Sequence, residues 1–313
     1  MALRERDVVE LVRSLAARFP RSAGLLVGIG DDAAIADSEG RTVVVTTDLL
    51  LDGIDFVLAE CGFWAAGRKA MAKNLSDVAA MGCEPWLAFT STALPPGTTG
   101  EEAHALFDAL TSTAAAHGCT VAGGDTKRSS GPLVVNVTVI GRARARPPLV
   151  RSGARVGDVV CVTGEFGGSI LGHHLSFEPR VWAGLRLNEV HGAHAAIDVS
   201  DGLEIDLVRL ADASGVGVFV ELNAIPIRAA ADVLAQRDGV RALEHALHDG
   251  EDYELIVALP EHVVADAVRD PELGTPLTVI GRFTREREWI GLDGCIGRTL
   301  GARGFEHEFG SEP

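Results

Sequence analysis

The sequence predicts an α/β (α+β) protein in two domains, and three observations carry that prediction. Apolar, β-branched runs alternate with segments of helical spacing along most of the chain. A basic, proline-bearing stretch, Arg142-Ala143-Arg144-Ala145-Arg146-Pro147-Pro148, interrupts an otherwise acidic chain near its middle. Several apolar runs end on glycine turns that carry aspartates, where folds of this class place ligands. The expected division is an N-terminal mixed-sheet domain over residues 1–146 and a C-terminal α/β domain over 147–313.

Each element has a local reason. Charged residues and Leu/Val recur at helical spacing over 4–18, a helix ending near Phe19-Pro20. Val27-Gly28-Ile29-Gly30-Asp31-Asp32-Ala33-Ala34 is a glycine turn with two adjacent carboxylates. The β-branched run 42–47 predicts a strand that ends at Asp48. Residues 63–81 form the strongest helical pattern, closed by Gly82. Its Lys69, Lys73 and Asp77 recur at i, i+4 and i+8, so one polar stripe carries two cations and a carboxylate. A strand over 86–92, a helix over 101–117 and a strand over 133–140 follow, with Gly123-Gly124-Asp125 as a turn between the last two. Beyond the basic break, strand 159–162 leads into the glycine loop Thr163-Gly164-Glu165-Phe166-Gly167-Gly168. Strand 195–199 runs into Ser200-Asp201-Gly202, which opens a helix reaching about 213, and 216–222 and 253–258 are further strands. Trp86, Trp182 and Trp289 are expected in the core.

Composition excludes several classes. Hydrophobic residues at 47% and charged residues at 23% are globular values, and 313 residues allow an ample core. A net charge of −16, from 28 basic and 44 acidic residues, argues against nucleic acid and anionic membrane surfaces as partners. The cysteines at 61, 83, 119, 161 and 295 form no Cys-x-x-Cys pair and read as buried thiols in a reducing compartment. No apolar run reaches membrane-spanning length and no signal-peptide pattern opens the chain, so a cytoplasmic location is expected. Gly28-x-Gly30-x-x-Ala33 fits the dinucleotide fingerprint literally, yet Asp37-Ser38-Glu39-Gly40 turns the chain before a helix has room, and Asp31 and Asp32 would repel phosphates. The histidines lie in no His-Glu-x-x-His or serine-triad context, and Ser200 is not in a nucleophile elbow.

Taken singly, every acidic segment has an ordinary reading. Asp201 caps a helix, Asp77 pairs with Lys73 on a solvated face, Asp125 is a turn residue, and Asp31-Asp32 and 248–252 are hydrated loops. Their shared placement points elsewhere. Asp32, Asp48, Asp125, Asp198 and Asp201 all fall at strand ends or glycine turns, and Asp77 lies on a helix whose other face is apolar. Crowded carboxylates need a compensating cation, and Mg²⁺ favours a few carboxylates with phosphate oxygens and water. The glycines let backbone amides approach such phosphates.

These residues also carry a family resemblance. Gly28-Ile29-Gly30-Asp31-Asp32-Ala33, Thr46-Thr47-Asp48, Asn74-Leu75-Ser76-Asp77-Val78-Ala79-Ala80-Met81-Gly82, Gly123-Gly124-Asp125-Thr126, Arg151-Ser152-Gly153-Ala154, Ala196-Ile197-Asp198-Val199-Ser200-Asp201-Gly202 and Gly250-Glu251-Asp252-Tyr253-Glu254-Leu255 occur in order. The set resembles the thiamine-monophosphate kinase family, within the aminoimidazole-ribonucleotide-synthetase-like superfamily, over about 27–305. The resemblance implies ATP-dependent phosphorylation of thiamine monophosphate to thiamine diphosphate, by direct in-line transfer with several Mg²⁺ ions. It also implies a homodimer whose N-terminal sheets join. By motif, Asp32, Thr46, Thr47, Asp48, Asp77, Asp125, Asp198 and Asp201 would be the metal ligands. Gly124, Asp125, Arg151 and Ser200 would lie against ATP, and Asp55, Glu251 and Phe305 against the thiamine substrate. No residue is expected as acid, base or covalent nucleophile; Asp48, Asp125 and Asp201 would neutralise charge through Mg²⁺.

Two positions depart from the family pattern: Asp55 stands where His is usual, and Asp249 where a second glycine is usual. The alternatives are another ATP-dependent synthetase of the superfamily or a non-catalytic nucleotide- or metal-binding regulator. A selenophosphate synthetase would want a reactive Cys near the N-terminus, but the first is Cys61. A hydrogenase-maturation factor would want a C-terminal Cys, but the sequence closes with Gly310-Ser311-Glu312-Pro313.

Overall fold

The computed structural model describes residues 3–4, 25–27, 31–38, 40–294, 296–301, 303–305 and 308–309. Strand β1 (Leu3–Arg4) pairs antiparallel with the final strand β15 (Glu308–Phe309). The helix expected over 4–18, Gly28, Gly30, Cys295 and His307 lie outside the described residues, apart from Arg4 in β1.

Two sheets organise the rest. The first contains β2 (Leu25–Val27), β3 (Ala34–Ser38), β4 (Arg41–Leu51), β5 (Glu84–Leu94), β6 (Thr120–Arg128) and β7 (Val134–Arg142), in the order β2-β3-β4-β7-β5-β6. The β5–β6 pair is parallel and its other pairs are antiparallel, with Asp48 opposite Val137. Along β7 buried residues alternate with half-buried ones, as period two requires of a sheet covered on one face. The second sheet contains β8 (Val159–Thr163), β9 (Ala195–Asp198), β10 (Gly217–Glu221), β11 (Leu255–Leu259), β12 (Leu277–Thr284), β13 (Trp289–Asp293) and β14 (Ile296–Thr299). Its order is β14-β13-β10-β12-β8-β11-β9. Every residue of β8, β9 and β11 is buried, which explains their unbroken apolar runs. The mixed α/β fold expected from the sequence is therefore present.

Among the described residues the helices are α1 (Leu58–Ala80), α2 (Gly100–Ala116), α3 (His173–Ser176), α4 (Val181–Glu189), α5 (Leu203–Ser214), α6 (Ala229–Asp238), α7 (Ala242–His248) and α8 (Glu261–Val268). Helix α1 contains a left-handed break at Gly62, with φ 74°. Its later turns are buried except at Arg68, Lys73 and Asp77, which are half-buried, because they pack on β4 and β7 of the first sheet and on β9 of the second. Helix α4 also lies on it; a Cβ at Gly184 would come within 2.1 Å of the Ala79 carbonyl oxygen, so glycine permits this contact. One apolar cluster runs from Ile35, Val44 and Leu50 through Leu75 and Val137 to Cys161, Leu185 and Val257. Each fully buried side chain of this size contributes about 1.5–3 kcal/mol. A second cluster, including Ile197, Leu207, Val218 and Ile280, lies within the C-terminal half.

Some local expectations are corrected. Asp125 lies within β6, not in a turn, and Asp48 lies within a β4 that is longer than expected. Trp86 and Trp182 are 39% and 54% exposed, so neither is a core residue. The Trp86 ring instead carries the Arg142 guanidinium 4.7 Å from its centroid. Trp289 packs half-buried against the second cluster. Cys83, Cys119 and Cys161 are buried free thiols, and Cys61 is half-buried.

Candidate active site

Alternation along β4 sends Thr46 and Asp48 towards α1 and Thr47 to the opposite face. Thr46 Oγ donates to Asp77 Oδ2 at 2.5 Å, and the Asp48 N–H donates to Asn74 Oδ1 at 3.1 Å. Thr47 Oγ meets Thr138 Oγ at 2.9 Å on the exposed side. Asp198 closes β9 and accepts the Ser76 hydroxyl at 2.6 Å. Asp32 arrives just before β3. Carboxylate oxygens of Asp32, Asp77 and Asp198 then lie within 4.8 Å of one another.

The electrostatics of this cluster are those of under-compensated acids. Burial, then Asp48, Asp198 and Asp32, raise the Asp77 pKa well above the ordinary carboxylate value. Burial and Asp32 raise Asp198 in the same way. Burial, with Asp32 beside it, pushes Asp31 up to about 6. Arg151 offsets part of this, with Nε 3.1 Å from Asp32 Oδ2 and Nη2 2.5 Å from Oδ1. Its backbone N–H donates to Asp31 Oδ2 at 3.2 Å. Asp48 Oδ2 is buried without a hydrogen-bond partner. A hard divalent cation fits this donor set, since it would relieve the repulsion and occupy the orphaned oxygen.

The polar stripe of α1 turns inward. Lys69 is fully buried, with Nζ 2.5 Å from the Asp55 carbonyl oxygen and 2.6 Å from Glu251 Oε1. Lys73 Nζ lies 3.5 Å from Asp48 Oδ1. The solvated Lys73–Asp77 pair, the ordinary reading of this face, is not formed. Asp55 also accepts the Leu51 N–H at 2.7 Å through Oδ2, bracing its own turn.

The Glu251 loop is held in an unusual conformation. Glu251 and Tyr253 have φ of 53° and 51°, a region that non-glycine residues occupy at a cost and often at functional sites. Three contacts hold it. Glu251 N–H donates to the Ser200 oxygen at 2.7 Å, Tyr253 N–H donates to the Val199 oxygen at 2.8 Å, and Tyr253 stacks on Phe177 at 4.0 Å between centroids. Between them, Asp252 accepts Arg228 Nη1 at 2.6 Å and the Gly167 N–H at 3.0 Å, while burial pushes its carboxyl up to about 7.

Other expected residues lie apart from the three acids. Asp201 pairs with Arg209 instead of capping α5, whose N-cap is Gly202. The amides of Ser200, Asp201 and Gly202 donate to Asp206 Oδ2 at 3.1, 3.0 and 3.3 Å. Phe305 donates its N–H to the Asp201 oxygen at 2.9 Å and presents a half-exposed ring. Asp125 is exposed on β6, 3.7 Å from Lys127. Gly124 precedes it, and a Cβ there would approach the Thr90 oxygen to 2.0 Å. Asp206, Arg209, Arg228 and the tie made by Lys69 were not anticipated. Only Lys69 carried a signal, its helical spacing from Lys73 and Asp77.

Residues 30–143 match the family described as AIR synthase related protein, N-terminal domain, and residues 163–291 match AIR synthase related protein, C-terminal domain. The thiamine-monophosphate kinase of Rhodopirellula baltica is 40% identical over 287 residues, 89% of each chain. That of Salmonella typhimurium is 36% identical over 325 residues, 94% of this chain and 97% of the relative. The chain belongs to the thiamine-monophosphate kinase family. A solved structure of AaThiL complexed with AMPPCP and TMP matches at a TM-score of 0.80 and 26% identity, over 97% of both chains. Escherichia coli HypE, a hydrogenase maturation protein, matches at a TM-score of 0.71 and 21% identity and shares the fold alone. In this member of the thiamine-monophosphate kinase family, the acid cluster and the Lys69–Glu251 tie are both anchored on α1. Among the described residues no helix is long and apolar enough to cross a membrane.

Proposed function

We propose that this chain transfers the γ-phosphoryl group of ATP to the phosphate of thiamine monophosphate, giving thiamine diphosphate and ADP. Family membership supports the substrates. The observation that carries the chemistry is the convergence of Asp32, Asp77 and Asp198, beside an Asp48 oxygen with no partner. Asp32, Asp48, Asp77 and Asp198, with the Thr46 hydroxyl, would hold Mg²⁺; bound there, it would neutralise charge on the phosphates. By motif Thr47, Asp125 and Asp201 belong to the same ligand set, from outside the three-acid cluster. Arg151 and Ser200 would lie against ATP, with Gly124 and Asp125 reaching it from β6. Asp55, Glu251 and Phe305 would contact the thiamine moiety.

The acceptor supplies its own nucleophile. A phosphate monoester has a second pKa of about 6 and is largely dianionic near neutral pH. An acceptor oxygen attacks the γ-phosphorus in line, the bond to the β,γ-bridging oxygen breaks, and ADP leaves with that electron pair. No side chain removes a proton and no phosphoenzyme forms. The protein's work is to align two polyanions and hold them together. The same reading includes a division near residues 146/147, a cytoplasmic location and a homodimer joined through N-terminal sheets. The exposure of the edge strand β6 along nearly its whole length supports the last point.

The decisive experiment supplies purified protein with ATP, Mg²⁺ and thiamine monophosphate and follows thiamine diphosphate by chromatography. Product is expected with Mg²⁺ and is lost on chelation. ATP consumption without thiamine diphosphate, or a phosphorylated residue trapped during turnover, would overturn the reading.

A further inference from the structure

Lys73 occupies a position that the metal and substrate assignments leave unexplained. On α1 it stands one turn from Asp77 and one turn from Lys69. Asp77 belongs to the acid cluster, and Lys69 is tied to Glu251 and to the Asp55 carbonyl. At about 1.5 Å per residue these two ends lie roughly 12 Å apart along the helix axis, with Lys73 at the midpoint. Its ammonium makes one loose contact, 3.5 Å to Asp48 Oδ1, while Asp48 Oδ2 stays unpartnered. An ordinary lysine is an ammonium at neutral pH. A permanent cation, three-quarters buried and weakly held by one carboxylate, is placed to serve an incoming anion.

We propose that Lys73 is a catalytic residue whose ammonium lies against the phosphoryl group as it passes from the nucleotide to the acceptor phosphate. The inference rests on the function proposed above. In the step, one P–O bond forms from the acceptor oxygen and the bond to the bridging oxygen breaks. Lys73 gains and loses no proton. Charge that builds on the equatorial and bridging oxygens is met by a donor already in place, which needs no reorganisation during the reaction. The same ammonium, 3.5 Å from Asp48 Oδ1, weakens divalent-cation binding on that side of the cluster without preventing it, because like charges at that spacing repel.

The test compares wild type with Lys73→Met, which keeps the unbranched apolar stem and removes the charge, and with Lys73→Arg. For Lys73→Met, kcat should fall by about 10²-fold, with KM for ATP within about threefold of wild type. Lys73→Arg should recover at least about tenfold of that loss. A readout independent of turnover is Mn²⁺ binding to the nucleotide-free protein by electron paramagnetic resonance. It should become tighter in Lys73→Met, since a competing cation has been removed. A Lys73→Met kcat within threefold of wild type, equal losses in both variants, or weakened Mn²⁺ binding would each overturn the proposal. A wild-type protein that makes no thiamine diphosphate would instead overturn the functional reading, so the two failures are told apart.

Discussion

Arg151 grips Asp32 with two guanidinium nitrogens, at 3.1 and 2.5 Å, although 119 residues separate them in the chain. The contact joins the start of the first sheet to the segment that follows the basic break. Asp32 is also one of the three clustered acids, so the guanidinium is the cluster's built-in counter-charge.

Replacing Arg151 by Met should therefore expose the repulsion among Asp32, Asp77 and Asp198. Removing one partner of a buried pair leaves the other charge uncompensated, a loss of about 3 kcal/mol or more. Mg²⁺ should return part of that loss. Thermal unfolding with and without Mg²⁺ should show a lower apo midpoint and a larger metal-induced rise than in wild type.

Asp198→Asn should act in the opposite direction. The amide oxygen can still accept the Ser76 hydroxyl, while one of the mutually repelling charges disappears. The apo protein should gain about 1 kcal/mol, a few degrees at the midpoint, and its response to Mg²⁺ should largely vanish. The same pair of unfolding curves measures both effects.

Lys69→Met should unfold more easily and bind thiamine monophosphate less well. The substitution leaves Glu251 Oε1 and the Asp55 carbonyl without their shared donor. A destabilisation of roughly 2–4 kcal/mol is expected. Adding Glu251→Gln should recover part of it, so a double-mutant cycle should give a coupling of about 1–3 kcal/mol. Additive effects would mean that the tie carries no energy of its own.

Asp252 sets a pH dependence of stability. Its carboxyl is raised in the folded state to about 7, chiefly by burial and against the lowering effect of Arg228. A raised acid binds its proton more tightly when folded. Its contribution is therefore fully present below the unfolded value near 4 and is lost as pH rises through about 7. Urea unfolding of wild type and Asp252→Asn at pH 5 and pH 8 should show the stability difference shifting towards the variant at pH 8, by on the order of 3 kcal/mol. A constant difference would refute the assignment.

How far the sequence alone could reach is plain from particular residues. The period of α1 placed Lys69, Lys73 and Asp77 on one stripe, and the β-branched run of β4 marked a strand ending at Asp48, but their meeting was not readable from either. Asp32 and Asp198, read at a glycine turn and a strand end, meet Asp77 of α1; they are part of a wider expected set from which Asp125 and Asp201 stand apart. Gly123-Gly124-Asp125 misled. Two glycines suggest a turn, but here a bare Cα lets β6 pass close to the Thr90 carbonyl, and sequence does not distinguish the two demands. Trp86 and Trp182 were misplaced because aromatic character does not say whether another element will cover a given face. Asp206 gave no sign, since an acid inside a helix ordinarily faces water, whereas here it gathers three amides of the preceding loop.

Ser76 reaches Asp198 of one sheet while its neighbour Asp77 takes the Thr46 hydroxyl of the other, so consecutive residues of a single helical turn clasp both halves of the molecule. The cage around the acids is thus tied to both sheets through one helical turn. Swinging the two lobes apart like a jaw would pull its walls out of reach together. Opening the molecule between its sheets therefore costs both hydrogen bonds at once.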